Sequence, residues 1–196
     1  MTVRLATRDD VPRIAEVLAH AFATDPPMRW VMGASPHAER RLRLYFSALL
    51  ARLHMTRGEI WMSDAPLGAA AWVGPGGWPP PATLEARLAP VLLRTFARHP
   101  LRAAGAGRVS GRAHPAEWHW FLDYIGVEAT ARGRGAGSAL MRPVLDRCDA
   151  EGTGAFLNAG TERSRDLYAR HGFEVTRRVE LPRGGPPLWS MWRAPG

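Results

Sequence analysis

The stretch GVEATARGRGAGSALM, residues 126–141, sets glycines at 133, 135 and 137 and arginines at 132 and 134 between an apolar run and a helical pattern. A strand that passes through glycines into a helix N-terminus points unpaired backbone N–H groups and the positive end of the helix dipole at one spot, which makes an anion site. Glycine lets the backbone approach a bulky diphosphate and take positive φ without a Cβ clash, and Arg132 and Arg134 add charge-assisted donors. Glycine spacing alone leaves an ordinary strand-to-helix turn equally open. Just upstream, Asp123 stands in the apolar run WFLDYIG. A lone buried charge is costly, so this carboxylate must be solvated, paired or functional. An ion pair with one of the 26 basic side chains is the structural alternative.

Other phosphate-binding chemistries fail on the letters. A P-loop needs lysine after its glycines, and the chain contains none. A dinucleotide fingerprint belongs near the first strand with an acidic ribose ligand downstream, and neither condition is met. A single RGRG between two ordered elements is not an RNA-binding tract. No metal site is expected: the histidines lack HExxH spacing and the single cysteine, Cys148, has no clustered partner. Glu117 and His119 are further acid–base candidates that surface pairing explains equally well. Trp30, Trp72 and Trp78 lie outside the glycine stretch and suit either an aromatic acceptor pocket or the core.

These residues need a scaffold, and 196 residues suffice for one domain, 1–196, with a sizeable core. A hydrophobic fraction of 46% with 22% charged residues is globular composition, and no run approaches a membrane span. Charges in MTVRLATRDDVP argue against a signal peptide, and a lone cysteine cannot form an internal disulfide, so a cytoplasmic location and no membrane partner are expected. The net charge of +8 attracts anions, but the arginines are scattered, so no specific nucleic-acid partner is expected.

Strand VRLAT (3–7) leads to a helix that Thr7 or Asp9 caps, with Val11, Ile14, Ala15, Leu18 and Phe22 at helical spacing and Pro26 and Pro27 ending it. A second helix spans about His37 to Met55. EIWMSD (59–64) and GAAAWV (68–73), split by Ala65, Pro66 and Leu67, read as a hairpin. GPGGWPPP breaks regular structure, a helix follows to Phe96, and LRAAGAGRVSGRAHPAE (101–117) reads as a loose glycine-rich connection. WHWFLDYIGV (118–127) is a buried strand. A helix to about Ala150, strand AFLNA (155–159), a helix over 161–172 and strands FEVTRRVEL and PLWSMWR complete a mixed α/β pattern with one central sheet.

On these elements, Arg132-Gly-Arg-Gly135-Ala-Gly137 resembles the Arg/Gln-x-x-Gly-x-Gly/Ala signature of the GNAT acetyltransferases, with LDYIGV before it and LYARHGF (167–173) after it in that superfamily's order. TVRLATRDDVPR, WFL, GRGAGSAL, ARHGFEV and LWSMWR further resemble the puromycin N-acetyltransferases and their relatives, weakly between 74 and 116. The resemblance implies the GNAT fold: a mixed, mostly antiparallel sheet of about seven strands flanked by helices, with splayed central strands. It implies acetyl-CoA as cofactor, and it places acceptor specificity in 74–116.

By the same resemblance, backbone groups of Ile125 and Val127 hold the pantetheine arm, and Gly126 forms a bulge that helps splay the strands. Arg132, Gly133, Arg134, Gly135, Ala136, Gly137 and Ser138 cradle the pyrophosphate. Tyr168 is the general acid for the thiolate, where helical spacing alone would make it a packed residue. Asp123, two residues before Ile125 and so on its face of an extended strand, binds the substrate ammonium or relays its proton through water. Trp30, Trp78 and Asn158 join it on the acceptor side. Two departures stand out: Asn158 replaces a glutamate common among those relatives, and Ser164 replaces an asparagine, leaving Ser164 one hydrogen bond to offer the cofactor. The expected function is acetyl transfer from coenzyme A to the primary amine of a small molecule, such as an antibiotic or secondary metabolite, with antibiotic resistance as one role, by a monomer or homodimer. A protein or aminoacyl acceptor, or a non-catalytic acyl-CoA-binding module, are the alternatives.

Overall fold

A computed structural model describes residues 2–63 and 68–196. Strand β1 (Val3–Leu5) precedes helices α1 (Val11–Phe22), α2 (Pro26–Met32) and α3 (Ala38–Leu49). A π-helical turn, Leu50–His54, and a short α4 (Met55–Arg57) follow, then β2 (Gly58–Ser63) and β3 (Gly68–Val73). Helices α5 (Ala82–Phe96) and α6 (Pro100–Ala113) lead to β4 (His119–Val127), α7 (Ala136–Glu151), β5 (Gly154–Ala159), α8 (Glu162–Ala169), β6 (Glu174–Glu180) and β7 (Pro187–Arg193). The connection expected at Ala65, Pro66 and Leu67 lies outside the described residues. No helix of the described chain is long and apolar enough to cross a membrane.

The seven strands form one sheet in the order β1-β2-β3-β4-β5-β7-β6. Only β4 and β5 run parallel; the other neighbours are antiparallel. One face packs on α1, α3 and α5 through Ile14, Leu18, Phe46, Leu50 and Phe121. The other packs on α7 and α8 through Trp72, Leu122, Leu140, Val144 and Tyr168. Each strand of the centre is therefore covered on both faces, which explains the near-continuous apolar lettering of β3 and β4.

Four local expectations need correction. Residues 101–113 are not a loose connection but lie in α6. Gly105, Gly107 and Gly111 weaken helix propensity, yet tertiary contacts hold the helix: Arg102 donates to Trp30 O (3.0 Å), and a Cβ at Gly105 would sit 2.7 Å from Pro182 Cγ. Pro26 and Pro27 do not end a helix; they open α2, where their fixed φ and missing N–H groups are tolerated and Asp25 caps the turn. Upstream of α1, the capping pair is Thr7 with Asp10, whose Oδ2 accepts the Thr7 N–H at 2.8 Å.

The fourth correction concerns β4. Gly126 pairs regularly with Ala69; the bulge lies at Asp123, because Ala71 faces Tyr124 and Trp72 faces Leu122. One extra residue breaks the period of two. Asp123 and Tyr124 both turn to the α1/α3 face, whereas Ile125 packs with the α7/α8 face, so Asp123 and Ile125 do not share a side. Gly126 serves a different need: a Cβ there would come within 2.8 Å of Leu18 Cδ2, so it lets α1 press against β4.

Candidate active site

The parallel pairing of β4 with β5 covers only His119–Leu122 against Gly154–Leu157. Beyond it, Asp123–Val127 continue along β3 without a β5 partner, while Asn158 and Ala159 pair only with β7. The centre of the sheet thus opens, leaving one backbone edge of β4 free to receive an extended chain as an added strand.

On the α7 side of this opening, Gly133 and Gly135 take φ of +78° and +79°, a region that β-carbons disfavour. Gly135 is the N-cap of α7, and no side chain caps that helix end. Gly137 is small for another reason: a Cβ would lie 3.3 Å from Leu167 Cδ2 on α8. Ala136 is buried beneath the turn. Arg132 donates through Nε to Val127 O (3.0 Å), and Arg134 is exposed. Ser138 Oγ lies 2.8 Å from His171 Nε2, a ring whose pKa is lowered by burial and then by Arg170, Arg142 and Arg193.

Tyr168 comes from α8 into the same region. Its side chain is buried, and its hydroxyl has no hydrogen-bond partner among the described residues. Burial, and then the nearby Asp25, hold the phenol protonated well above the usual tyrosine range. Ser164 is the N3 residue of the α8 capping box and donates its hydroxyl to Thr161 O at 2.8 Å. That bond uses the one proton Ser164 could have offered elsewhere.

The opposite wall is made of side chains. Asp123 pairs not with an arginine but with His54, Oδ2 to Nε2 at 3.2 Å, and the imidazole is fully buried. The π-turn explains the reach: widening the helix leaves Leu49 O 3.3 Å from His54 Nδ1. A carbonyl and a carboxylate both accept, so each ring nitrogen of His54 faces an acceptor. Beside it, the hydroxyls of Tyr45 and Tyr124 meet at 2.6 Å. Burial raises both phenols, with Asp123 adding to the effect. Tyr124 also stacks edge-on against Phe22 (5.4 Å) and Phe46 (5.0 Å).

The remaining sequence candidates are not gathered together. Asn158 accepts from Ser190 Oγ (2.8 Å) and donates to Ser110 Oγ of α6 (3.0 Å). Trp30 lies under the Arg102 guanidinium, 5.3 Å from the ring centroid, and against Gly185. Trp72 is core. Trp78 is separate from Trp30, lining a cavity of about 400 Å³ with His114, Trp118, His119 and Phe121 at the start of β4. There His119 Nδ1 lies 2.5 Å from Glu117 O and its Nε2 lies 3.1 Å from His114 Nε2. Burial lowers the pKa of both rings, His114 to about 4. Sequence reasoning missed Asp25, Tyr45, His54 and Tyr124 altogether. Only Asp25 carried a local signal, an Asp-Pro-Pro helix start.

The Acetyltransferase (GNAT) family model matches residues 82–173, the span from α5 through α8 that contains the free β4 edge, the glycine turn and Tyr168. An uncharacterized N-acetyltransferase of Schizosaccharomyces pombe is 23% identical over 211 residues, covering 100% of this chain and 84% of the relative. A Corynebacterium glutamicum crystal structure, described as histone acetyltransferase HPA2 and related acetyltransferase, is 28% identical with a TM-score of 0.77, covering 100% of this chain and 96% of that one. Residues 82–173 carry the GNAT acetyltransferase match. GNAT enzymes generally use acetyl-CoA, and a free strand edge, an uncapped helix N-terminus behind glycines and an unpartnered phenol fit a ligand with an extended arm and a diphosphate. The GNAT assignment also accounts for the splay of β4 from β5, which a closed sheet would not need.

Proposed function

We propose that the protein transfers acetyl from coenzyme A to the primary amine of a small molecule. The observation that carries this reading is the opening between β4 and β5, walled by backbone donors on one side and by a polar aromatic cluster on the other. Coenzyme A, when bound, supplies an acetyl thioester. Backbone groups of Ile125 and Val127 hold the arm, and the turn Arg132–Ser138 holds the pyrophosphate. The Ile125 N–H is the donor for the thioester oxygen. Tyr168 holds a proton for the departing sulfur; its burial disfavours tyrosinate, and the same burial disfavours a thiolate beside it.

Asp123 keeps a place in proton handling, but with His54 as its companion. An imidazole hydrogen-bonded to a carboxylate can pass a proton, and the contact occupies one Asp123 oxygen, so the relay reading gains over direct ammonium binding. Helix α6 supports assigning 74–116 to the acceptor side: it contacts Trp30 through Arg102, Pro182 through Gly105 and Asn158 through Ser110. A helix packed onto the end of β5 suits a small amine better than a polypeptide, which needs an open groove. Antibiotics and secondary metabolites carrying an aromatic group are the class to try first. The test is release of free coenzyme A from acetyl-CoA by purified protein with a panel of puromycin, polyamines, aminoglycosides and short peptides. Turnover of one small amine is expected; turnover confined to peptides would replace the acceptor class, and silence with tight acetyl-CoA binding would replace the transferase reading with a binding module.

A further inference from the structure

Asp123 and Asp25 differ in their partners. Asp123 has a basic side-chain partner, His54. Asp25 has none among the described residues, in a chain with 26 basic side chains and a net charge of +8. Its position is fixed. As N-cap of α2 it accepts the Met28 N–H through Oδ1 at 3.0 Å, which leaves Oδ2 without a hydrogen bond from any described residue. Oδ2 is directed at the end of β5: a Cβ built on Gly160 would lie 3.1 Å from it and 2.9 Å from Pro27 Cγ. A side chain at 160 would crowd this carboxylate and Pro27, so glycine there leaves Oδ2 its place at the end of β5. Asp25 also acts electrostatically on Tyr168 from α8 and on Tyr124 from β4, raising both phenols.

We propose that Asp25 is the group that receives the acceptor amine, binding its ammonium through Oδ2 and taking its proton. The inference rests on the transferase reading above and names a residue that reading lacks. The proton balance closes. The ammonium gives one proton to Asp25 and becomes a neutral amine, whose lone pair forms the N–C bond as the C–S bond breaks. The phenol proton of Tyr168 goes to sulfur, the second nitrogen proton restores the phenol, and Asp25 returns its proton to solvent. Burial without a cationic neighbour pushes the Asp25 carboxyl up to about 6, with only the Met28 N–H opposing it. Such a group is basic enough to accept a proton yet ionised at neutral pH. An arriving ammonium supplies the charge the protein withholds.

The test is Asp25→Asn, which keeps the helix cap. Expected are a fall of at least about 10²-fold in kcat/KM for the amine, loss of the limb along which kcat/KM rises with pH through about 6, and an unchanged acetyl-CoA Kd. Undiminished kcat/KM with the limb retained would overturn the assignment. A second readout needs no turnover: carbon-13 NMR titration of the Asp25 carboxyl in the protein loaded with coenzyme A, which carries no acetyl group, with and without phenethylamine as probe. The midpoint should fall when the amine is added, because an ammonium favours the carboxylate. An unmoved midpoint overturns the role of Asp25 whatever the transfer assay says. A lowered midpoint with a silent transfer assay leaves Asp25 as the amine site and removes the transferase reading.

Discussion

On the α7 side of the opening, the groups that matter are backbone: the free edge of β4, the positive-φ glycines 133 and 135, and the uncapped start of α7. On the α1/α3 side they are side chains drawn from four separate elements, Asp25 before α2, Tyr45 on α3, His54 in the π-turn, and Asp123 with Tyr124 on β4. The first wall is local in sequence, about a dozen consecutive residues, and its chemistry is that of any strand-to-helix turn wide enough for a diphosphate. The second exists only after folding. A cofactor common to many enzymes needs one constant cradle, while an acceptor must be recognised by whatever side chains can be brought around it.

If the two walls divide the work in this way, mutations on each should separate coenzyme handling from acceptor handling. The largest effect belongs to the residue between them. Tyr168→Phe should lower kcat by about 10²–10⁴-fold while the acetyl-CoA Kd, measured by calorimetry, stays within a fewfold of wild type. An equal loss in both would make Tyr168 a packing residue of the cofactor wall. Next is His54→Ala on the acceptor wall. It strips the hydrogen-bonding partner from a mostly buried Asp123 and should cost about 3 kcal/mol or more of unfolding free energy in urea. Removing both members, His54→Ala with Asp123→Asn, should recover part of that loss, and a double variant no better than the single one would show that the pair is not the source. On the cofactor wall, Gly135→Val places a branched side chain at φ +79°. About 1–3 kcal/mol of strain should appear as acetyl-CoA binding weakened by roughly tenfold or more, with the acceptor KM unchanged at saturating coenzyme.

The same division explains what could be read before folding. Periodicity located α1, α7 and the buried strands because each buries a full stripe or both faces, and the glycine turn announced itself by spacing. The bulge could not be located that way: whether it sits at Gly126 or Asp123 depends on which β3 residue faces which, and a glycine is the usual but not the necessary place for one. Its misplacement put Asp123 on the wrong face. Helix α6 was missed because Gly105, Gly107 and Gly111 argue against a helix locally, while its stabilisation comes from Trp30, Pro182 and Asn158, all distant in the chain. His54 looked like one more residue of an amphipathic helix, since nothing in the letters marks a π-turn. Asp25 was legible in principle, as a cap before two prolines, but its meaning depends on Gly160 lying beside it.

The smallest expected effect tests how tightly α6 belongs to the acceptor wall. Ser110 Oγ accepts one hydrogen bond from Asn158, which is itself held by Ser190 on β7. Ser110→Ala removes that acceptor and should cost about 1 kcal/mol of stability. If α6 closes the acceptor side, the freed Asn158 amide will also disturb the acceptor site, and the amine KM should rise a fewfold while acetyl-CoA binding is untouched. Asn158→Asp is the complementary variant: its carboxylate can accept from both the Ser190 and the Ser110 hydroxyls, so it can keep the α6 contact while placing a new negative charge on β5, close in sequence to the Gly160 that packs on Asp25. A rise in the Asp25 midpoint in that variant, read by the carboxyl titration, would place the two residues in one electrostatic site, because a nearby like charge disfavours ionisation. An unmoved midpoint, with the amine KM unchanged in Ser110→Ala, would assign α6 to stability alone and return the acceptor side to the residues of β4 and the π-turn.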